Sequence, residues 1–148
     1  MYKSILVPLD GTRRSEAILP QVESLAQQCG ASIILLEVLE PPPPHAVVVI
    51  PDMMKEGAIQ RASEITEYIN DIQRRLSDNG HVVQAIVERG PVVDTILKVA
   101  QSTRAELIAM SSRGYTGLAR LLHGSVAGEI LHRSKTPLLV LHVEDDDA

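Results

Sequence analysis

Aromatic side chains are almost missing from this chain: three Tyr, no Phe and no Trp among 148 residues. The core must then be aliphatic, and the stacking platforms that hold single-stranded nucleic acid are lacking. Cysteine is scarce too. Cys29 stands alone, so no intrachain disulfide can form and a reducing compartment is expected. Positive charge is in deficit, with 14 Lys and Arg against 19 Asp and Glu, net −5. That balance argues against a nucleic-acid-coating surface. No apolar run approaches the roughly 18 residues of a membrane span. The opening Met-Tyr-Lys-Ser-Ile-Leu-Val-Pro-Leu-Asp is too short and too soon polar for a signal peptide. A cytoplasmic protein with no membrane and no nucleic-acid partner is the expectation.

Catalytic signatures are lacking as well. The chain has no Gly-x-x-x-x-Gly-Lys-Ser/Thr loop, no Gly-x-Gly-x-x-Gly after a strand and no His-Glu-x-x-His. Gly124-Ser125-Val126-Ala127-Gly128 is no nucleophile elbow, since Ser is second rather than third. His45, His81, His132 and His142 have no metal-ligand spacing, and His123 reads as surface or packing, so no metal site is expected.

What the chain does have is 45% apolar residues in short, regularly spaced blocks, in a length that suits one domain over residues 1–148. Ser4 to Leu9 is too short for a helix and has no polar alternation, which predicts a buried parallel strand ended by Asp10-Gly11. Ser15 is placed to cap a helix whose inner face carries Ile18, Val22, Leu25 and Cys29, with Gly30 as its stop. Pro20 is awkward inside that helix and predicts a bent first turn. Ser32 to Leu39 reads as the second strand. Residues 41–52 form a Pro-rich loop, stiff and extended, with an apolar patch at Val47 to Ile50.

A long helix follows from about Met53 to Ser77, with Ala62, Ile65, Ile69, Ile72 and Leu76 in three-four spacing. His81 to Val87 is a partly alternating strand, nearer an edge. Gly90-Pro91 opens a helix with Val93, Ile96, Leu97 and Ala100 inside and Pro91 at the tolerated first position. Leu107 to Met110 is the fourth strand, Ser125 to Arg133 the last helix, and Leu138 to Leu141 the fifth strand. The acidic tail at 144–148 is expected to be disordered. Strands alternating with helices imply a parallel sheet covered on both faces by right-handed crossovers.

In such a sheet a ligand sits outside the carboxyl ends of the strands, where strand order reverses. Two ends are equipped for it: Pro8-Leu9-Asp10-Gly11-Thr12, and the segment from Met110 through Ser111, Arg113 and Gly114 to Gly124-Ser125. If the first and fourth strands are neighbours, both line one crevice. The second segment runs from a buried strand through a glycine-bearing, cationic loop to a helix start. Unpaired N–H groups and the aligned peptide dipoles favour an anion at a helix start. Glycine lets the main chain approach the ligand, and Arg113 offers a planar charge that matches phosphate oxygens. The plain alternatives are an ordinary connection, an Asp10 that only caps its turn, and an Arg113 that is simply solvated.

These residues resemble the universal stress protein family. Ile-Leu-Val-Pro-Leu-Asp-Gly-Thr looks like its first strand and turn, and Glu37-Val38-Leu39-Glu40-Pro41 like the end of its second strand. Most telling, Gly114, nine residues and Gly124-Ser125 match the spacing of its nucleotide-binding members, with Ser111 where they carry the first motif glycine. The resemblance implies a Rossmann-like five-stranded sheet of order 3-2-1-4-5. It implies ATP, with Mg or Mn carried on the phosphates. Pro8, Leu9 and Asp10 would flank the adenosine, Val38 would offer backbone groups to the adenine, and Met110 would pack near the ligand. Ser111, Arg113 and Gly114 would meet phosphate and ribose, and Gly124, Ser125, Val126 and Ala127 would hold phosphates at the last helix start. It further implies a stress-response sensor or signalling module. The apolar fifth strand, exposed as an edge, would pair with a second copy in a homodimer. No general base is tied to the loop, so no more than weak hydrolysis is expected. Two alternatives remain: an interaction module of the same fold without nucleotide, its pocket closed by Ser111, and a slow ATPase.

Overall fold

In the computed structural model of the chain, residues 1–41, 52–113 and 126–144 are described below. The sheet begins with β1 (Ser4–Leu9) and β2 (Ser32–Leu39), continues with β3 (Val83–Arg89) and β4 (Leu107–Arg113), and ends with β5 (Leu138–Val143). All neighbours pair in parallel, in the order β3-β2-β1-β4-β5. The helices are α1 (Arg13–Glu16), α2 (Leu19–Cys29), α3 (Asp52–Asp78), α4 (Val92–Ser102) and α5 (Val126–Arg133).

The strands alternate their side chains between two cores because successive Cβ atoms leave opposite faces of the sheet. Ile5, Val7, Ile33 and Leu35 pack with Val22 and Ala26 of α2 and with Ile69, Ile72 and Leu76 of α3. Leu6, Ile34, Leu36, Ile108 and Met110 pack with Ile96, Val99 and Ala100 of α4 and with Ala127 and Ile130 of α5. Each Val, Leu, Ile or Met side chain among them, taken fully out of water, contributes roughly 1.5–3 kcal/mol. Among its described side chains, α3 shares in this through its C-terminal half. Ile69 is 1% exposed, whereas Ile59, nearer the start, is 69% exposed.

The structure amends several local expectations. The helix expected from a Ser15 cap is two helices. Thr12 is the cap of α1, its Oγ1 accepting from the Ser15 N–H at 3.1 Å, and the chain restarts as α2 at Leu19. Pro20 explains the break. It lacks an N–H and fits only a helix's first turn, where it now stands. Pro91 likewise caps α4 rather than opening it, and Val92 is the first helical residue. β3 is shifted to Val83–Arg89, and it does lie at a sheet edge. Cys29 is half-buried against the rim of the first core. Gly30 stops α2 in the left-handed region at φ 66°. Among the described residues no helix is long and apolar enough to cross a membrane. Most of the Pro-rich segment and the tail beyond Glu144 lie outside the described residues.

β4 and β5 run further than expected, to Arg113 and Val143. Strand pairing explains it: the ladder between them continues through Ser111–Leu141, Ser112–His142 and Arg113–Val143, which supplies backbone partners to polar residues that the hydropathy pattern alone would release into a loop.

Candidate functional site

β1 and β4 lie side by side at the centre of the sheet, and the helices that follow them leave on opposite faces. This is where strand order reverses, the usual ligand position in an open parallel sheet. The ladder between the two strands ends at Leu6–Ile108, although β1 runs on to Leu9 and β4 to Arg113. Beyond that point no ladder joins them, and in an open parallel sheet the ligand crevice lies between such carboxyl ends.

One side of it is polar and tightly bonded. The Asp10 carboxylate accepts from the Thr12 N–H at 3.0 Å and the Thr12 hydroxyl at 2.5 Å, on the same oxygen. The Asp10 N–H donates to Ser15 Oγ at 3.3 Å, and that hydroxyl donates to the Thr12 carbonyl at 2.8 Å. Gly11 makes the turn possible at φ 85°, a conformation other residues adopt only with strain. What burial Asp10 has pushes its pKa up. The hydrogen bonds from Thr12 and Ser15 and the nearby Arg14 guanidinium outweigh that and hold it below the usual carboxylate range. Asp10 is therefore an anion at neutral pH. From the other strand, Ser111 donates its hydroxyl to the Ser15 carbonyl at 3.4 Å.

The opposite face is apolar. Met110 and Ala127 are buried in the second core, and Val38 packs against it. The expected residues thus sort into groups. Asp10 and Ser111 meet through Ser15. Met110, Val38 and Ala127 meet on the α4–α5 side. Pro8 is half-buried in β1, opposite Leu36. Leu9 points the other way, into the first core. Val126 opens α5 and is exposed. Arg113 ends β4, while Gly114, Gly124 and Ser125 lie outside the described residues.

One residue at this end of the sheet was not singled out by sequence reasoning. Glu37 continues the alternation of Ile33 and Leu35 into the first core, so a carboxyl group goes where an aliphatic one would fit. It is 5% exposed, and its Oε2 is buried without a hydrogen-bond partner among the described residues. An unmet buried acceptor costs about 1–3 kcal/mol. Burial first, and the Asp10 charge second, push its pKa up to about 7. Beside it Tyr68 of α3 donates its hydroxyl to Glu16 of α1 at 2.9 Å. Burial and then the Glu16 bond, with Glu37 and Asp10 nearby, push the phenol upward as well. The available signal was a lone charge inside Ser-Ile-Ile-Leu-Leu-Glu-Val-Leu. Among the described residues no group of three or more His, Cys, Asp or Glu is arranged to hold a metal ion.

Known proteins are similar to this chain in sequence and fold. The universal stress protein MJ0577 of Methanocaldococcus jannaschii is 27% identical over 154 residues, spanning 95% of each chain. Universal stress protein Rv1636 of Mycobacterium tuberculosis is 27% identical over 146 residues, spanning 95% of this chain and 97% of its own. The solved structure of MJ0577 superimposes with a TM-score of 0.81 at 28% identity, over 98% of this chain and 99% of that one. A universal stress protein solved in complex with cAMP has the same fold, with a TM-score of 0.67 at 22% identity over 95% and 97% of the two chains. The model of the universal stress protein family matches residues 1–142, and with that match, the sheet order and the shared fold, the chain belongs to the universal stress protein family.

Proposed function

We propose that this chain is an ATP-binding, homodimeric sensor or signalling module of the stress response. It works in the cytoplasm and holds ATP, with Mg or Mn on the phosphates, in the crevice between the carboxyl ends of β1 and β4. The observation that carries this is the early end of the β1–β4 ladder between two unlike walls. An apolar wall of Val38, Met110 and Ala127 suits a purine. The Asp10 carboxylate suits the hydroxyls and amine of a nucleoside, which donate hydrogen bonds. The start of α5 suits phosphate, with Arg113, Gly114, Gly124 and Ser125 supplying the remaining donors. Three or four charge-assisted bonds of about 1.5–3 kcal/mol each, less ordering costs, correspond to roughly micromolar binding. A nucleotide-bound relative of known structure supports the class of ligand. Homodimerisation through β5 is supported by its place at the sheet edge and by Leu139, 37% exposed on that strand.

Calorimetry with ATP and Mg²⁺ on protein stripped of nucleotide tests the proposal. Saturable heat is expected, and none at millimolar ligand overturns it.

A second reading has its own observation. Ser111 sends its hydroxyl across to Ser15. A crevice closed by that contact leaves an interaction module without nucleotide. Mass spectrometry of small molecules released on denaturation separates the two, since only the first reading yields an adenylate.

A further inference from the structure

Glu37 sits under the turn that borders the crevice, and four elements close around it. β1 lies on one side with Leu9 in register, and β3 on the other with Val87 in register; both neighbours are apolar. The β1–α1 turn crosses above the carboxyl, where a Cβ added to Gly11 would stand 3.7 Å from Oε1. The turn also brings the Asp10 carboxylate, whose charge acts on Glu37. α3 brings Tyr68, and through the Tyr68 hydroxyl comes Glu16 of α1. Arg14 acts on Asp10, and among the described residues no cation pairs with Glu37. Among the described residues the buried Oε2 therefore has no donor and no counter-charge.

We propose that Glu37 is a proton-operated latch: neutral, it lets the Asp10–Gly11–Thr12 turn lie closed upon it, and ionised, it drives the turn off and withdraws Asp10 from the crevice.

The physical reason is the company it keeps. Asp10 is kept ionised by its bonds from Thr12 and Ser15. Glu37, buried beside that exposed carboxylate, would on ionising add a charge with neither water nor a compensating donor, and that state is disfavoured. Two escapes exist. Glu37 keeps its proton, or the turn lifts and water reaches Oε2. The hydrogen bonds of the turn run from Asp10 to Thr12 and Ser15, so the turn and α1 move together. Ser15 is also the acceptor for Ser111, and lifting breaks the link across the crevice. The effect on ligand rests on the nucleotide reading above; the latch itself does not.

Heteronuclear NMR of the ligand-free protein tests it. The Gly11 and Thr12 amide resonances, and the Glu37 carboxyl carbon, are followed across neutral pH. All should move together with a midpoint at about 7, and the Thr12 amide should lose protection above it, beyond the ordinary base-catalysed rise in exchange. Glu37→Gln should abolish the amide transition. Amides that titrate unchanged in Glu37→Gln overturn the latch, and so does a Glu37 carboxyl that titrates at its ordinary value. If that variant does not fold, the wild-type carboxyl and amide curves decide by themselves, since differing midpoints exclude the coupling. Cyclic AMP, whose phosphodiester does not titrate near neutrality, then reads the coupling to ligand. Its affinity should fall by up to about tenfold per pH unit above the midpoint in the wild type and stay level in Glu37→Gln. Failure of cyclic AMP and ATP to bind at any pH defeats the nucleotide reading and leaves the amide titration to judge the latch.

Discussion

The hydroxyl of Ser111 donates to the carbonyl of Ser15 at 3.4 Å, tying the end of β4 to α1 across the mouth of the crevice. Under the nucleotide reading proposed above, this bond stands at the entrance to the ligand site. Ser111→Gly should keep the fold, since the ladder to Leu141 is backbone. It should hold or raise ATP affinity by a few-fold. Ser111→Val should lower affinity by tenfold or more, because two methyl groups replace the hydroxyl beside the Ser15 carbonyl. Titration calorimetry of both variants checks this. Equal affinities would place the ligand elsewhere.

Stability should depend on pH through two carboxyl groups of opposite sense. Asp10, held below 3.8, contributes stability that is present above that value and is lost as pH falls through its lowered folded-state pKa. Glu37, raised from 4.5 to about 7, prefers its proton in the folded state. Its contribution is fully present below 4.5 and is lost as pH rises to about 7. The loss is on the order of 3 kcal/mol. Urea unfolding of wild type and Glu37→Gln across this range should show the difference between them changing up to neutrality and then levelling. Parallel curves would mean that Glu37 titrates normally.

The two halves of α3 should respond differently to truncation. Ile69→Ala removes a side chain 1% exposed in the first core and should cost about 2–5 kcal/mol. Ile59→Ala, at a site 69% exposed, should stay within about 0.5 kcal/mol. Denaturant midpoints measure both, and a large loss at Ile59 would show that the N-terminal half has a packing partner.

Leu139→Lys should turn a dimer into a monomer if β5 pairs with a second copy. Leu139 is part-exposed at the sheet edge, and an edge lysine opposes strand addition. Sedimentation velocity of the parent and the variant gives the answer. A parent that is already monomeric refutes the homodimer.

Much of this protein was legible without coordinates. The apolar blocks Ile5 to Leu9, Ile33 to Leu36 and Leu107 to Met110 are strands because nothing polar interrupts them, and Ile69, Ile72 and Leu76 mark a helix face by spacing alone. These are properties of neighbours along the chain, so the chain itself determined them. The Gly114 and Gly124-Ser125 spacing likewise pointed to the family. Tertiary structure decided the rest. That Thr12, not Ser15, caps α1 depended on how the turn folds back on Asp10. The extension of β4 to Arg113 needed β5 beside it. Whether the Glu37 carboxyl would face water or an oil-like core under Gly11 depended on the pairing of three strands and on a helix that begins beyond residue 51. Burial and charge proximity are set by groups distant in sequence, and no local pattern contains them.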